Sequence, residues 1–176
     1  MKNILAISGS LRSDSSNTRI LKLLGTWMPA DVNYLIYDGM GVLPHFIPFA
    51  EGEPLPPQVS VLHQQLNEAD ALIICTPEYA FGVPGSLKNL LDWTVGTGNL
   101  VDKPVALITA SSKGDDAHAA LLKILSALSA QVTDALLIPF IRSRFNAEGN
   151  ITDASTEAEL RRVFDNLLNA INQINE

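Results

Sequence analysis

Apolar residues recur along the chain in short, nearly continuous runs at residues 3–8, 32–37, 71–75, 105–109 and 132–138. Runs of that length without polar alternation predict strands buried on both faces, the habit of parallel sheets. Between and after them the apolar positions switch to helical spacing: Ile20, Leu21 and Leu24; Leu62 and Leu66; Leu87, Leu90 and Leu91; Leu121, Leu122, Leu125 and Leu128. The last stripe is the most regular, Leu160, Val163, Phe164, Leu167, Leu168, Ile171 and Ile174, with Asp153 or Ser155 placed to cap its start. Strand and helix therefore alternate. Right-handed crossovers then predict an α/β fold, a doubly wound five-stranded parallel sheet with helices on both faces, with residues 1–176 as one domain.

One irregular stretch breaks the alternation. Residues 38–57 carry Pro44, Pro48, Pro54, Pro56 and Pro57 with Gly39, Gly41 and Gly52, which predicts a long surface excursion. Its Phe46, Ile47 and Phe49 are expected to cover the domain or join a subunit contact.

Two shorter loops sit where chemistry is expected. In an open parallel sheet, ligands lie beyond the carboxyl ends of the strands where the strand order reverses, which for an order 2-1-3-4-5 falls between the first and third strands. After the first run comes Gly9-Ser10-Leu11-Arg12-Ser13-Asp14-Ser15-Ser16-Asn17. Ser15, Ser16 and Asn17 are good helix caps, and the free backbone N–H groups of a helix start favour an anion. Hydroxyls at Ser10 and Ser15, the Asn17 amide and the Arg12 guanidinium add donors suited to a terminal phosphate monoester. The same residues also serve an ordinary cap. The loop is neither a Walker loop nor a Gly-x-Gly-x-x-Gly turn, which disfavours a nucleoside triphosphate or a Rossmann-type dinucleotide.

After the third run comes Thr76-Pro77-Glu78-Tyr79-Ala80-Phe81-Gly82-Val83-Pro84-Gly85. Pro77 stiffens its start, Gly82 permits close backbone approach, and Pro84 stands where a helix begins. A rigid turn offering backbone N–H and C=O groups suits the edge of a heteroaromatic ring. Glu78 and Tyr79 are equally suited to facing solvent or a subunit contact.

Composition narrows the setting. At 47% hydrophobic residues the 176-residue chain can bury a continuous core. Its formal charge of −7 comes from scattered acids, with no basic stripe, which argues against nonspecific nucleic-acid binding. No run approaches the roughly 18–20 apolar residues of a membrane span, and the opening apolar run stops at Ser8-Gly9-Ser10, too soon for a signal peptide. A soluble, reducing, cytoplasmic setting is expected. Cys75, the single cysteine, reads as a small core residue. His45, His63 and His118 lack metal-ligand spacing, and His118 is expected at the surface. Trp93 is expected to pack beneath its helix or at a dimer contact.

Gly9-Ser10-Leu11-Arg12 with Ser15 and Asn17, and Thr76-Pro77-Glu78-Tyr79 leading into Pro84-Gly85-Ser86-Leu87-Lys88-Asn89-Leu90-Leu91-Asp92-Trp93, together resemble the NAD(P)H-dependent FMN reductases. That group includes quinone, chromate and azo-dye reductases. The likeness runs from Met1 to about Val132, with a compatible last strand and helix. It implies a flavodoxin-like sheet, FMN as cofactor, NADPH or NADH as co-substrate, a small-molecule electron acceptor, and a homodimer or homotetramer. By the resemblance, Ser10, Arg12, Ser15, Ser16 and Asn17 hold the FMN phosphate. Pro77, Glu78, Tyr79, Ala80 and the backbone through Gly82 line the ring and ribityl chain, and Ser111 and Gly114 approach the pyrimidine edge.

The chain departs from the family pattern twice. Ala80 stands where the family usually has Asn, removing a side-chain contact near the ring. Ser111-Ser112-Lys113-Gly114-Asp115-Asp116 replaces a frequent Gly-Gly pair. Asp115 or Asp116 is expected to cap the fourth helix and face water. The implied activity is transfer of reducing equivalents from NAD(P)H through FMN to a quinone-like acceptor by a ping-pong scheme, with no side chain named as catalytic. An electron carrier of the flavodoxin kind and a doubly wound binding protein that has lost flavin are the competing readings; Ala80 and the aspartate pair are the hints for the latter.

Overall fold

A computed structural model describes residues 1–50, 52–146 and 148–173. Five strands, β1 (Lys2–Ser8), β2 (Val32–Tyr37), β3 (Ala71–Thr76), β4 (Pro104–Ala110) and β5 (Gln131–Ile138), pair in parallel in the order β2-β1-β3-β4-β5. Helices α1 (Ser16–Thr26), α2 (Pro57–Glu68), α3 (Gly85–Asp92), α4 (Asp115–Ala127) and α5 (Ala154–Gln173) follow the strands in turn, with 3-10 turns at Gly39–Val42 and Ile141–Arg144. This is the flavodoxin-like doubly wound sheet that the alternation predicts. Ser8 pairs with Cys75 and Thr76 with Thr109, so β1, β3 and β4 end almost level. Their following loops therefore meet along one rim.

Strand periodicity splits the core into two layers. Ile4, Ala6, Ile73, Cys75, Ala106 and Ile108 face α1 and α5, meeting Ile20, Leu21, Leu24, Leu160, Val163 and Leu167. The alternate residues Leu5, Ile7, Leu72, Ile74, Val105 and Leu107 face α2, α3 and α4. Every residue of β3 and β4 is buried. Removing one such side chain down to alanine costs about 2–5 kcal/mol in cores of this kind.

Burial on both faces does not extend to the edges. In β2 burial alternates, leaving Asn33 and Leu35 exposed, and β5 is mostly half-buried with Gln131 exposed. Each edge strand has one neighbour, so an apolar run there does not guarantee burial. Asp153 caps α5, its Oδ2 accepting from the Thr156 amide at 2.9 Å. Of the predicted α5 stripe, Ile174 lies outside the described residues.

The long β2–α2 excursion is pinned to α3. Pro44 O accepts from Asn89 Nδ2 and Trp93 Nε1, both at 2.9 Å, while Asn89 Oδ1 accepts from the Phe46 amide at 2.8 Å. Phe46 and Phe49 pack on the Trp93 ring at centroid distances of 5.2 and 6.0 Å. These two aromatics thus cover the domain, whereas Ile47 stays exposed.

Candidate functional site

The loop after β1 is organised by hydroxyls. Ser15 caps α1, its Oγ accepting from the Thr18 amide at 3.1 Å. Ser10 Oγ accepts from the Arg12 amide at 3.3 Å. Ser10 Oγ therefore keeps its own hydrogen for a ligand, whereas Ser15 Oγ also meets Thr18 Oγ1 at 2.9 Å. Beneath the loop, the buried Cys75 thiol donates to Asn17 Oδ1 at 3.3 Å, which turns the NH₂ of that amide to the other side. Burial pushes the Cys75 thiol well above its ordinary value, so it stays protonated as a donor. Arg12 extends into solvent and pairs with Asp14 at 3.2 Å.

The β1 and β3 loops touch. A Cβ on Gly9 would stand 2.1 Å from Thr76 Oγ1, and the Gly9 amide donates to Cys75 O at 2.8 Å. Only glycine allows this approach. Thr76 in turn donates from Oγ1 to Pro77 O at 3.0 Å, fixing the start of the next loop.

Beyond Glu78 the β3 loop closes as a two-residue hairpin. Tyr79 and Gly82 exchange both backbone hydrogen bonds at 3.0 Å around Ala80 and Phe81, whose φ values are 50° and 59°. Positive φ at both central residues is the signature of a type I′ turn. Phe81 is left 72% exposed and Tyr79 53%.

Glu78 performs the task that the sequence reading gives to Asp115 or Asp116. The residue before α4 is Gly114, at φ +113° and with no side-chain cap of its own. The Glu78 carboxylate accepts from the amides of Gly114 at 3.3 Å and of Asp116 and Ala117 at 3.0 Å. Its own amide donates to Ser111 Oγ at 3.2 Å. The carboxylate of one loop thus fills the start of the helix that follows another, where the helix dipole favours negative charge. Asp115 and Asp116 face water, as expected, and cap nothing. The φ of +113° at Gly114 suits glycine, and a Cβ there would also press on Leu137 Cδ1 at 2.8 Å.

A cavity of about 460 Å³ opens over this rim. At one end it is lined by Ser10, Arg12, Ser15, Ser16 and Asn17, and at the other by Pro77, Glu78, Tyr79 and Ser111. Ala80, Gly82 and Gly114 lie outside the lining and shape the loops that form it. The structure adds Asp14, Arg19, Ala110, Ser112 and, from the turn after β5, Ile141, Arg142, Phe145 and Asn146. Nothing in the apolar pattern singles out that last turn. Its place is set by Ile141 N donating to Ser111 O at 3.1 Å and by Phe145 bridging to Ile151. The donor set at the Ser10–Asn17 end, hydroxyl, amide and guanidinium, fits the phosphate of FMN, and the backbone-edged end fits its ring.

Other reactive groups are used elsewhere. His118 is half-buried rather than at the surface, with Nδ1 2.9 Å from Thr109 Oγ1. Burial lowers its pKa against the opposing pull of Asp115. His63 Nε2 lies 2.9 Å from Trp93 O, on the opposite layer from α1. Among the described residues, no cluster of three or more potential metal ligands occurs and no helix is long and apolar enough to cross a membrane.

The family model for NADPH-dependent FMN reductase matches residues 2–140. The chain is 32% identical over 171 residues to a 2-hydroxy-1,4-benzoquinone reductase from Burkholderia sp, covering 92% of each chain. It is 32% identical over 170 residues to the NADH:(hydroxy)cinnamate reductase subunit CrdA of Vibrio ruber, covering 92% of this chain and 83% of that one. The fold superposes on FerB, a flavoenzyme NAD(P)H:(acceptor) oxidoreductase of Paracoccus denitrificans, with a TM-score of 0.76 over 98% of both chains at 24% identity. The chain belongs to the NADPH-dependent FMN reductase family and is an oxidoreductase of the kind that works with FMN and NAD(P)H.

Proposed function

We propose that this chain holds FMN in the cavity over β1, β3 and β4 and passes reducing equivalents from NAD(P)H to a quinone-like small acceptor. The observation that carries the reading is one cavity at the point where the strand order reverses, donor-rich at one end and edged by rigid backbone at the other. FMN, when bound, supplies the redox chemistry, and the protein supplies binding and orientation. The hydroxyls of Ser10 and Ser15, the Asn17 amide and Arg12 hold the phosphate. Pro77, Tyr79 and Ser111 hold the ring end, while the hairpin through Ala80 and Gly82 and the tie from Glu78 to Gly114 keep those walls in place. No acid or base side chain is assigned to the transfer.

In this reading donor and acceptor use the same face of the bound flavin in turn, a ping-pong scheme. The names of the benzoquinone and cinnamate reductase relatives support a small conjugated acceptor. Exposed Tyr79 and Phe81 beside the cavity support assembly as a homodimer or homotetramer. Residues 1–176 act as one domain in this reading, and the lone buried Cys75 suits a reducing cytoplasm.

The test is reconstitution with FMN followed by steady-state oxidation of NADH and NADPH with a benzoquinone as acceptor. Turnover that requires FMN and gives parallel double-reciprocal plots is the expected result. Tight FMN binding without turnover selects the electron-carrier reading instead, and failure to bind FMN selects the binding protein without flavin.

A further inference from the structure

Charge around the cavity is unevenly matched. Arg12, Asp14, Arg19, Glu78 and Arg142 all line it. Asp14 answers Arg12. The Glu78 carboxylate is taken up by three amides at the start of α4. Arg19 and Arg142 remain, and neither has a carboxylate within ion-pair distance among the described residues. Among the described residues these are the two arginines with no ion pair, and both line this one cavity of a chain whose formal charge is −7.

Both arginines are placed by their elements. Arg19 follows Ser15 by one helical turn, its amide donating to Ser15 O at 2.9 Å, so its side chain rises on the same face as the capping hydroxyl. It lies against Gly149, where φ is +84° and a Cβ would stand 2.7 Å from Arg19 Nη1; the glycine leaves room for the guanidinium. Arg142 sits in the 3-10 turn after β5. That turn is fastened to the β4 loop through Ile141 N and Ser111 O, and to the start of α5 through Arg144 and Asp153 at 3.0 Å.

We propose that Arg19 and Arg142 together supply the countercharge for a phosphate monoester bound in this cavity. Two fixed positive charges suit a monoester, which carries about −1.5 to −2 at neutral pH, better than a diester. The inference rests on the reading of the cavity as a nucleotide site. Two molecules of that reading carry such a group: FMN at its 5′ end, and NADPH on its 2′ oxygen. Riboflavin and NADH lack it.

The test compares wild-type protein with Arg19→Ala, Arg142→Ala and the double variant, using Lys123→Ala, an exposed lysine on α4 away from the cavity, as a control for net charge. Both arginines are exposed, so unfolding midpoints should match the wild type. Three titrations are read: inorganic phosphate by calorimetry, FMN against riboflavin by flavin fluorescence, and NADPH against NADH on FMN-loaded protein. In the double variant, phosphate binding should weaken about tenfold or more, the scale of one charge-assisted contact. A fall in the preference for FMN over riboflavin names the flavin phosphate as the occupant, and a fall in the preference for NADPH over NADH names the 2′-phosphate. Phosphate binding and both preferences unchanged in the double variant would overturn the proposal. Phosphate lost in the double variant while the wild type takes no flavin keeps the arginine site and removes the FMN reading instead.

Discussion

Ala80 and Phe81 sit consecutively in left-handed backbone, where an L-residue with a Cβ costs about 1–2 kcal/mol. Type I′ turns prefer Asn and Gly at these positions for that reason. Read from sequence, alanine in place of the family's usual asparagine means a lost contact with the ring. The geometry gives another account, because position 80 lies outside the cavity lining and its demand is conformational. Ala80→Asn should therefore raise stability by about 0.5–1 kcal/mol, read as a higher urea midpoint at unchanged slope, with FMN affinity within a factor of two. An unchanged midpoint together with tighter FMN binding would restore the contact explanation.

Among elements, the tie between the β3 loop and α4 matters most for the site. Glu78→Ala removes three acceptor contacts from the helix start and should destabilise by about 1–2 kcal/mol, the range for a lost cap. Amide exchange at Gly114, Asp116 and Ala117 should speed up selectively. FMN affinity should fall too, because Ser111 loses the fixed partner loop across the cavity. Uniform exchange across α4 in the variant would show that the tie is incidental. The elements themselves were legible: runs of apolar residues located all five strands, and helical spacing located all five helices, because those patterns are local. The identity of the cap was not. Asp115 and Asp116 stand where a local cap belongs, while the actual acceptor lies 38 residues before Asp116 and reaches it only through the parallel pairing of β3 with β4. The turn carrying Arg142 escaped for a similar reason, since it enters the site by packing and not by any periodic signal.

Over the whole molecule, the two-layer core holds β3 and β4 so firmly that their carboxyl ends serve as fixed posts. His118 offers a way to sense that arrangement. It is packed against Thr109 at the end of β4, and burial lowers its pKa, so the folded state takes up its proton less readily than the unfolded chain. Stability should be full above the ordinary histidine value of 6.5 and fall as pH drops through it toward the lowered folded value. Unfolding midpoints measured between pH 7.5 and about 5 should show this slope, and His118→Gln should remove its share. An identical profile in the variant would assign the slope to other groups. The fold class and the two facing loops were readable because the strand-order rule converts sequence position into spatial proximity. Exposure of β2 and β5 was not, since nothing in an apolar run states whether a strand is central or at the edge.

The contact of Gly9 with Thr76 also sets terms for anyone who would rebuild this cavity. A relative's 9–17 segment can replace this one only if its first residue is glycine, because a Cβ there would stand 2.1 Å from Thr76 Oγ1 and 2.6 Å from Thr76 Cβ, and trimming Thr76 to serine or alanine leaves that second contact in place. A chimera that brings any other residue to position 9 inherits a collision before any ligand is added.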